Sequence, residues 1–362
     1  MRVFLKCSLG TERVCYSEAL EITGKNFNVY EGILISECNF KDFLNLLLYS
    51  RSAERIGFLI GELKTKEQFK DYFKENLKNK SNLSLKFGYD ELTNKILNFF
   101  KESKFCFKVE ICDCFKKELK NYEREKFRKE ISKLMIKEGF SQNLKKPNFY
   151  FFVFKINKNI FLGLDFGEVY KRNYAVFNTP CSLRPNIAYS ILRYSGFTRN
   201  FNGTLIDITS KSSFLIEAYL YYKNSKNETK NKINESIYNF FINLLKENSF
   251  ISDDNNQKDK KNNNKINLVA YSKHKPNLSV LRKNSIIANA EISFLENDEK
   301  LKHMFLNNEK KIVILQINNN REFFELKEVL NELKNSVLVI VSNKEISIKK
   351  HFFTFKEFEN FI

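Results

Sequence analysis

Proline is scarce in this chain: four in 362 residues, at 147, 180, 185 and 276, and none beyond. Any motif built on paired prolines is therefore excluded from the last part of the sequence. Histidine is scarcer still, with His274, His303 and His351 all late in the chain. The seven cysteines are odd in number and scattered; Cys112 and Cys114 form a C-x-C, but no second pair accompanies it to complete a Cys-rich zinc site. Neither a metal centre nor a disulfide framework is expected, and the thiols read as small buried apolar groups in a reduced compartment. No apolar run reaches the ~20 residues a bilayer span needs. The opening MRVFLKCSLG is interrupted too soon for a signal peptide. A cytoplasmic chain with no membrane partner is the expectation.

What is abundant is positive charge. The formal net charge is +18 and the sequence pI is near 9.4, so the excess must face water or a polyanion. Lys, Asn, Ile and Phe dominate throughout, and an AT-rich genome would also raise the charge without selection for binding. At 43% hydrophobic and 29% charged residues the chain is globular. Its length suits two or three domains at ~150 residues each.

One stretch organises the rest: Phe201 to Leu220, FNGTLIDITSKSSFLIEAYL. Leu205 and Ile206 make a short strand ending in Asp207, and Phe214, Leu215, Ala218 and Tyr219 recur at helical spacing. Strand, tight turn and helix in this order form the place where doubly wound α/β folds seat a nucleotide-like cofactor. Such a turn usually needs glycine, for positive φ and for close approach of the ligand. Here it runs Ile208, Thr209, Ser210, Lys211, Ser212, Ser213, without one.

Before this stretch, residues 1–60 alternate strands and helices: VFLKCSL, a helix over Glu12 to Leu20, a hairpin around Tyr30–Gly32, a helix over Phe40 to Tyr49, and a strand in LYSRSAERIGFLIGEL. That order suits a ferredoxin-like α+β sandwich. A connecting helix is expected over 64–76 and a polar turn over 78–85. Residues 90–166 form a second unit, with an amphipathic helix over Lys117 to Gly139 whose apolar stripe is Leu119, Tyr122, Phe127, Ile131, Leu134 and Met135. Lys117, Lys120, Arg124 and Arg128 stack along another side. They suit RNA phosphates, or equally a solvated face paired with Glu118, Glu123, Glu125 and Glu130.

At LYSRSAERIGFLIGEL, KFCFKVEI and above all LDFGEVYKRNYAVFNTPCSLRPNIAYSILRYSG, the sequence resembles the THUMP-containing tRNA guanine-N2 methyltransferases. The R-x-Y-x-x-F of Arg172, Tyr174 and Phe177, followed by Pro180, Leu183, Arg184, Pro185 and Ala188, looks like that family's link into its catalytic domain. The resemblance implies a ferredoxin-like domain (1–75), a THUMP domain (76–170) and a Rossmann-like class I methyltransferase domain (171–362). It also implies that residues 1–170 hold the acceptor stem and 3′ end of a tRNA. The RNA-binding residues it suggests are Lys104, Lys108, Lys117, Lys120, Arg124, Arg128, Lys145 and Lys146, with Lys171, Arg172 and Arg184 at the link.

The same resemblance specifies chemistry that this chain lacks. The family ends its first strand in D-P-F-C-G-S-G-T; here Asp207 is kept, Ile208 stands at the proline, Lys211 at the first glycine and Ser213 at the second. A lysine opposes the positive sulfonium of S-adenosylmethionine. Ser272, beside Lys273, stands where an acid would hold the cofactor ribose, and Asp298 is a candidate for the acid near the adenine. The N-P-P-Y or D-P-P-Y that holds a flipped guanine would follow KKIVILQI, where Gln316, Ile317, Asn318 and Asn319 stand instead. Catalytic residues and a bound cofactor are not expected; Asp207 and Asp298 remain as vestiges, and S-adenosylmethionine belongs only to the enzyme alternative.

An insertion separates these parts. A helix over 227–250 carries Ile233, Ile237, Phe240, Phe241 and Leu244, expected either to cover the altered cleft or to bind a partner, and 251–265 is low-complexity polar chain expected to be disordered. A fifth strand follows at Val337 to Val341 and the chain ends in HFFTFKEFENFI. Three readings stand together. The first is a non-catalytic tRNA-binding member supporting an active methyltransferase or another protein; the second is an active enzyme with a divergent site; the third is a structural interaction protein.

Overall fold

A computed structural model describes residues 1–64, 84–87, 91–113, 120–157, 159–225, 235–247, 266–295, 297–317, 321–322, 326, 330 and 332–342. The chain divides into two compact units. The first comprises Met1–Cys7, Cys15–Val169 and Thr229–Phe250; the second comprises Ser8–Val14, Tyr170–Glu228 and Ile251–Ile362.

The first unit is built on one mixed sheet. In chain order its elements are β1 (Arg2–Cys7), α1 (Glu12–Thr23), β2 (Asn28–Tyr30), β3 (Ile33–Glu37), α2 (Phe40–Tyr49), β4 (Ala53–Lys64), β5 (Ser84–Phe87), α3 (Glu91–Glu102), β6 (Cys106–Ile111), α4 (Asn121–Lys137), β7 (Ser141–Gln142), β8 (Phe149–Ile156) and β9 (Asn159–Asp165). The strands run β2-β3-β1-β4-β9-β8-β6-β7, with β5 added beside β4, so the long β4 pairs with both β1 and β9. Where a polar turn was expected, Ser84–Phe87 is a strand; 65–83 lies outside the described residues. Gly57 on β4 and Gly163 on β9 let the Phe4 ring lie against the sheet: a Cβ at either position would stand 2.6 or 2.3 Å from its Cε1. The helix expected over Phe40 to Tyr49 is α2, and Asn39 and Asp42 form a reciprocal capping box at its start. On α4, Phe127, Ile131 and Met135 are buried, but Tyr122 is 61% exposed because it occupies the first turn, which projects beyond the apolar stripe.

The insertion contributes α7 (Glu235–Glu247), and this helix belongs to the first unit. Ile237, Phe241 and Leu244, at i, i+4 and i+7, are at most 1% exposed. The Phe241 ring lies 5.3 Å from Phe40, 6.3 Å from Phe43 and 5.4 Å from Phe166, and Phe240 stacks on Phe99 at 3.7 Å. The apolar face of the helix is part of the first unit's core.

The second unit has α5 (Pro185–Tyr194), β10 (Gly203–Asp207), α6 (Phe214–Tyr222), β11 (Ile266–Tyr271), α8 (Lys275–Ile287), β12 (Ser293–Leu295), α9 (Asp298–Leu306), β13 (Lys311–Ile317) and β14 (Ser336–Ser342). All four pairings of its sheet, β12-β11-β10-β13-β14, are parallel. Every residue of β13 is buried, as expected of a strand covered on both faces. Gly203 has φ +150° and lies so near the Lys310 carbonyl that a Cβ would stand 2.2 Å from its oxygen. The low-complexity stretch 251–265 and HFFTFKEFENFI lie outside the described residues.

Candidate functional site

The order β12-β11-β10-β13-β14 reverses direction between β10 and β13. In open parallel sheets the ligand crevice lies beyond the carboxyl ends of the strands at that point. Here those ends are Asp207 on β10 and Gln316 and Ile317 on β13.

Asp207 is fully buried and organises the turn after it. Its Oδ1 accepts from the backbone N–H of Thr209 at 3.1 Å and of Ser210 at 2.8 Å. This Asx-type turn lets Ser210 adopt φ +50°, a left-handed conformation usually given to glycine. Asp207 Oδ2 is buried without a hydrogen-bond partner, and burial pushes the carboxyl pKa up to about 7 against the pull of the two N–H groups.

The rest of the turn is tied across the crevice. Ser212 Oγ donates to Gln316 Oε1 at 2.6 Å and accepts from Leu183 N–H at 2.9 Å. Gln316 Nε2 donates to the Cys181 carbonyl at 2.6 Å, and its backbone N–H donates to Thr209 Oγ1 at 3.2 Å. Ser210 Oγ donates to the Tyr271 carbonyl at 3.1 Å, and Asn277 Nδ2 to the Thr209 carbonyl at 3.2 Å. The hydroxyls of Thr179 and Ser182 both donate to the Lys211 carbonyl. Lys211, at the position of the first glycine in the resembled family, places Nζ 2.6 Å from Glu322 Oε2. A small open cavity of about 30 Å³ lies beside Phe177, Leu183, Lys211, Leu281 and Asn284.

The other positions that the resemblance assigns to the cofactor make local contacts. Ser272 Oγ accepts from the His274 N–H at 3.1 Å. Asp298, in the first turn of α9, accepts from the Tyr271 hydroxyl and lies 3.5 Å from Lys273 Nζ. Asn318 and Asn319 lie outside the described residues. Among the described residues no cluster of His, Cys, Asp and Glu could hold a metal ion, and no helix is long and apolar enough to cross a membrane.

The basic candidates separate on inspection. Arg172 is not a surface cation: it is 8% exposed, its Nε donates to Glu217 Oε1 at 3.1 Å, and Tyr174 OH donates to the same oxygen at 2.6 Å. Burial, with Glu217 beside it, pushes the Tyr174 hydroxyl well above its ordinary pKa. The R-x-Y of the link thus anchors a fully buried glutamate on α6. Lys108 pairs with Glu110, which also accepts from the buried Arg55; Arg55 in turn holds Asp165 at 3.0 and 3.1 Å. On α4, Arg128 pairs with Glu125 and Arg124 donates to Asn121, so internal pairing on this face is real. Lys104, Lys120, Lys145, Lys146, Lys171 and Arg184 are exposed; Lys117 lies outside the described residues. The sequence reading missed Gln316 as the bridge that ties the crevice. Its one signal was a polar side chain ending the apolar run KIVIL.

No family model matches this chain, and no curated protein matches it. Solved structures do match. A predicted N6-adenine-specific DNA methylase from Listeria monocytogenes aligns with a TM-score of 0.62 at 12% identity, over 94% of this chain and 88% of that one. A possible methylase from Clostridium difficile aligns with a TM-score of 0.59 at 16% identity, over 94% and 89%. TrmN from Thermus thermophilus gives 0.57 at 13% identity, over 94% and 88%. Identities this low speak for architecture alone, and over nearly its whole length this chain has the fold of those methylases.

Proposed function

We propose that this chain is a tRNA-binding protein on a methyltransferase scaffold that does not itself transfer methyl groups. In this reading residues 1–75 and 76–170 are the ferredoxin-like and THUMP-like parts that receive the acceptor stem and 3′ end. Residues 171–362 keep the catalytic fold as a support for RNA or for an active partner. The observation that carries the reading is the crevice tied by Ser212, Gln316 and Cys181, with the Lys211–Glu322 ion pair beside it. The residues present do not fit S-adenosylmethionine: Lys211 brings a side chain and a positive charge to the place where the family's glycine admits the cofactor. RNA binding is supported by the net charge of +18 and by the exposed Lys104, Lys120, Lys145 and Lys146.

Calorimetry with S-adenosylmethionine should give no heat of binding at micromolar concentration. Gel shifts with tRNA should show binding whose salt slope falls by roughly 0.7–0.9 for each phosphate contact removed when Lys104, Lys145 and Lys146 are replaced by alanine. The likeness to methylases favours the active-enzyme reading, and purified protein that places a labelled methyl on tRNA unaided would establish it.

A further inference from the structure

The second unit exposes an aromatic ring that its own fold holds in place. Phe177 is 40% exposed and follows Val176, which is 60% exposed. A surface loop residue of this kind is ordinarily mobile. The Phe177 main chain is instead fixed on both sides by one buried amide: its N–H donates to Asn284 Oδ1 at 3.1 Å, and Asn284 Nδ2 donates to its carbonyl at 2.7 Å. Asn284 is only 6% exposed. The neighbouring Lys283, exposed on α8, places Nζ over the Phe177 ring, 5.1 Å from its centre, whereas the Arg282 guanidinium lies over Phe294 at 4.8 Å. Ile287, one turn beyond Lys283, is 46% exposed.

An exposed ring on a fixed backbone, with a cation over one face, has the chemistry of a nucleobase platform. The ring's other face is offered to an unpaired base, and the cation takes a phosphate beside it. A protein-docking surface would instead deplete charge at its centre. Resting on the RNA-binding reading above, we infer that Phe177 stacks an unpaired base of bound RNA, with Lys283 placed for a flanking phosphate. The partner is therefore a single-stranded segment or end, and duplex alone does not engage this surface.

The chain contains no tryptophan, so Phe177→Trp installs the sole indole as a reporter in the full-length protein. Single-stranded RNA should quench its emission saturably, and a blunt duplex should not. Phe177→Ala should weaken binding of the single strand by roughly 5- to 100-fold, as loss of one base stack does, while leaving duplex affinity and the thermal midpoint unchanged. Binding of single-stranded RNA without quenching, with labelled-RNA anisotropy confirming the complex, would overturn the platform and leave the RNA-binding reading standing. Failure of the wild-type chain to bind RNA at all would overturn both. A Phe177→Ala variant that binds RNA normally but loses a polypeptide partner would make the ring a protein-docking residue and also overturn the inference.

Discussion

Replacing Asp207 by asparagine should stabilise the protein relative to wild type increasingly as pH rises. The carboxyl is fully buried, one of its oxygens has no hydrogen-bond partner, and its pKa is raised from 3.8 to about 7, chiefly by burial. In the folded state it therefore holds a proton that the unfolded chain releases above pH 4. Between those two pKa values the native state binds more protons than the unfolded one, so this group lowers stability as pH rises. The full loss is at most about 4 kcal/mol, with roughly 2–3 kcal/mol of it between pH 5 and pH 8. Asparagine keeps the oxygen that accepts from Thr209 and Ser210 and has no proton to lose. It also buries an extra amide donor, but that cost is the same at every pH. Urea unfolding of both proteins at pH 5 and pH 8 measures the difference directly. A stability gap between variant and wild type that stays flat, or narrows towards pH 8, would refute the account of the turn as built around a protonated Asp207.

Two further perturbations test the packing. Phe241→Ala should cost roughly 3–5 kcal/mol, because the ring is fully buried among Phe40, Phe43 and Phe166; urea denaturation followed by circular dichroism would show a lower midpoint, and an unchanged midpoint would remove α7 from the core. Glu217→Gln should cost roughly 3–5 kcal/mol by taking the carboxylate from the buried Arg172 guanidinium; the joint variant Arg172→Met/Glu217→Gln, measured calorimetrically, should recover part of that loss.

Much of the element order is legible from local pattern. The helix at Phe40 to Tyr49 is legible from its apolar stripe, to which the structure adds the Asn39 and Asp42 capping box, and β13 from an apolar run that a strand buried on both faces tolerates. Which surface buries a stripe is a different matter. Ile237, Phe241 and Leu244 announce a half-buried helix, but nothing in their spacing says that the buried face meets Phe40 and Phe99, far earlier in the chain. Charge is similarly ambiguous. Arg172 reads as a phosphate ligand until Glu217, 45 positions away, is seen to hold it. Lys108 and Glu110 are more local, since alternate residues of a strand share a face. Ser210 was hidden for another reason: left-handed backbone is expected at glycine, and here a carboxylate two bonded N–H groups away supports it.

The hydrogen bonding of this glycine-free turn has one physical explanation. A turn that receives a cofactor leaves backbone and side-chain groups for the ligand to satisfy, because buried polar groups must find partners somewhere. Here the neighbouring protein supplies them. The Lys211 carbonyl accepts two hydroxyls, the Thr209 carbonyl accepts an amide, Ser212 and Gln316 satisfy each other, and Lys211 has Glu322. The apolar residues beneath, Ile206, Val269 and Val313, pack in one buried cluster. The strand order is therefore held by that cluster while the polar groups above it bond to one another.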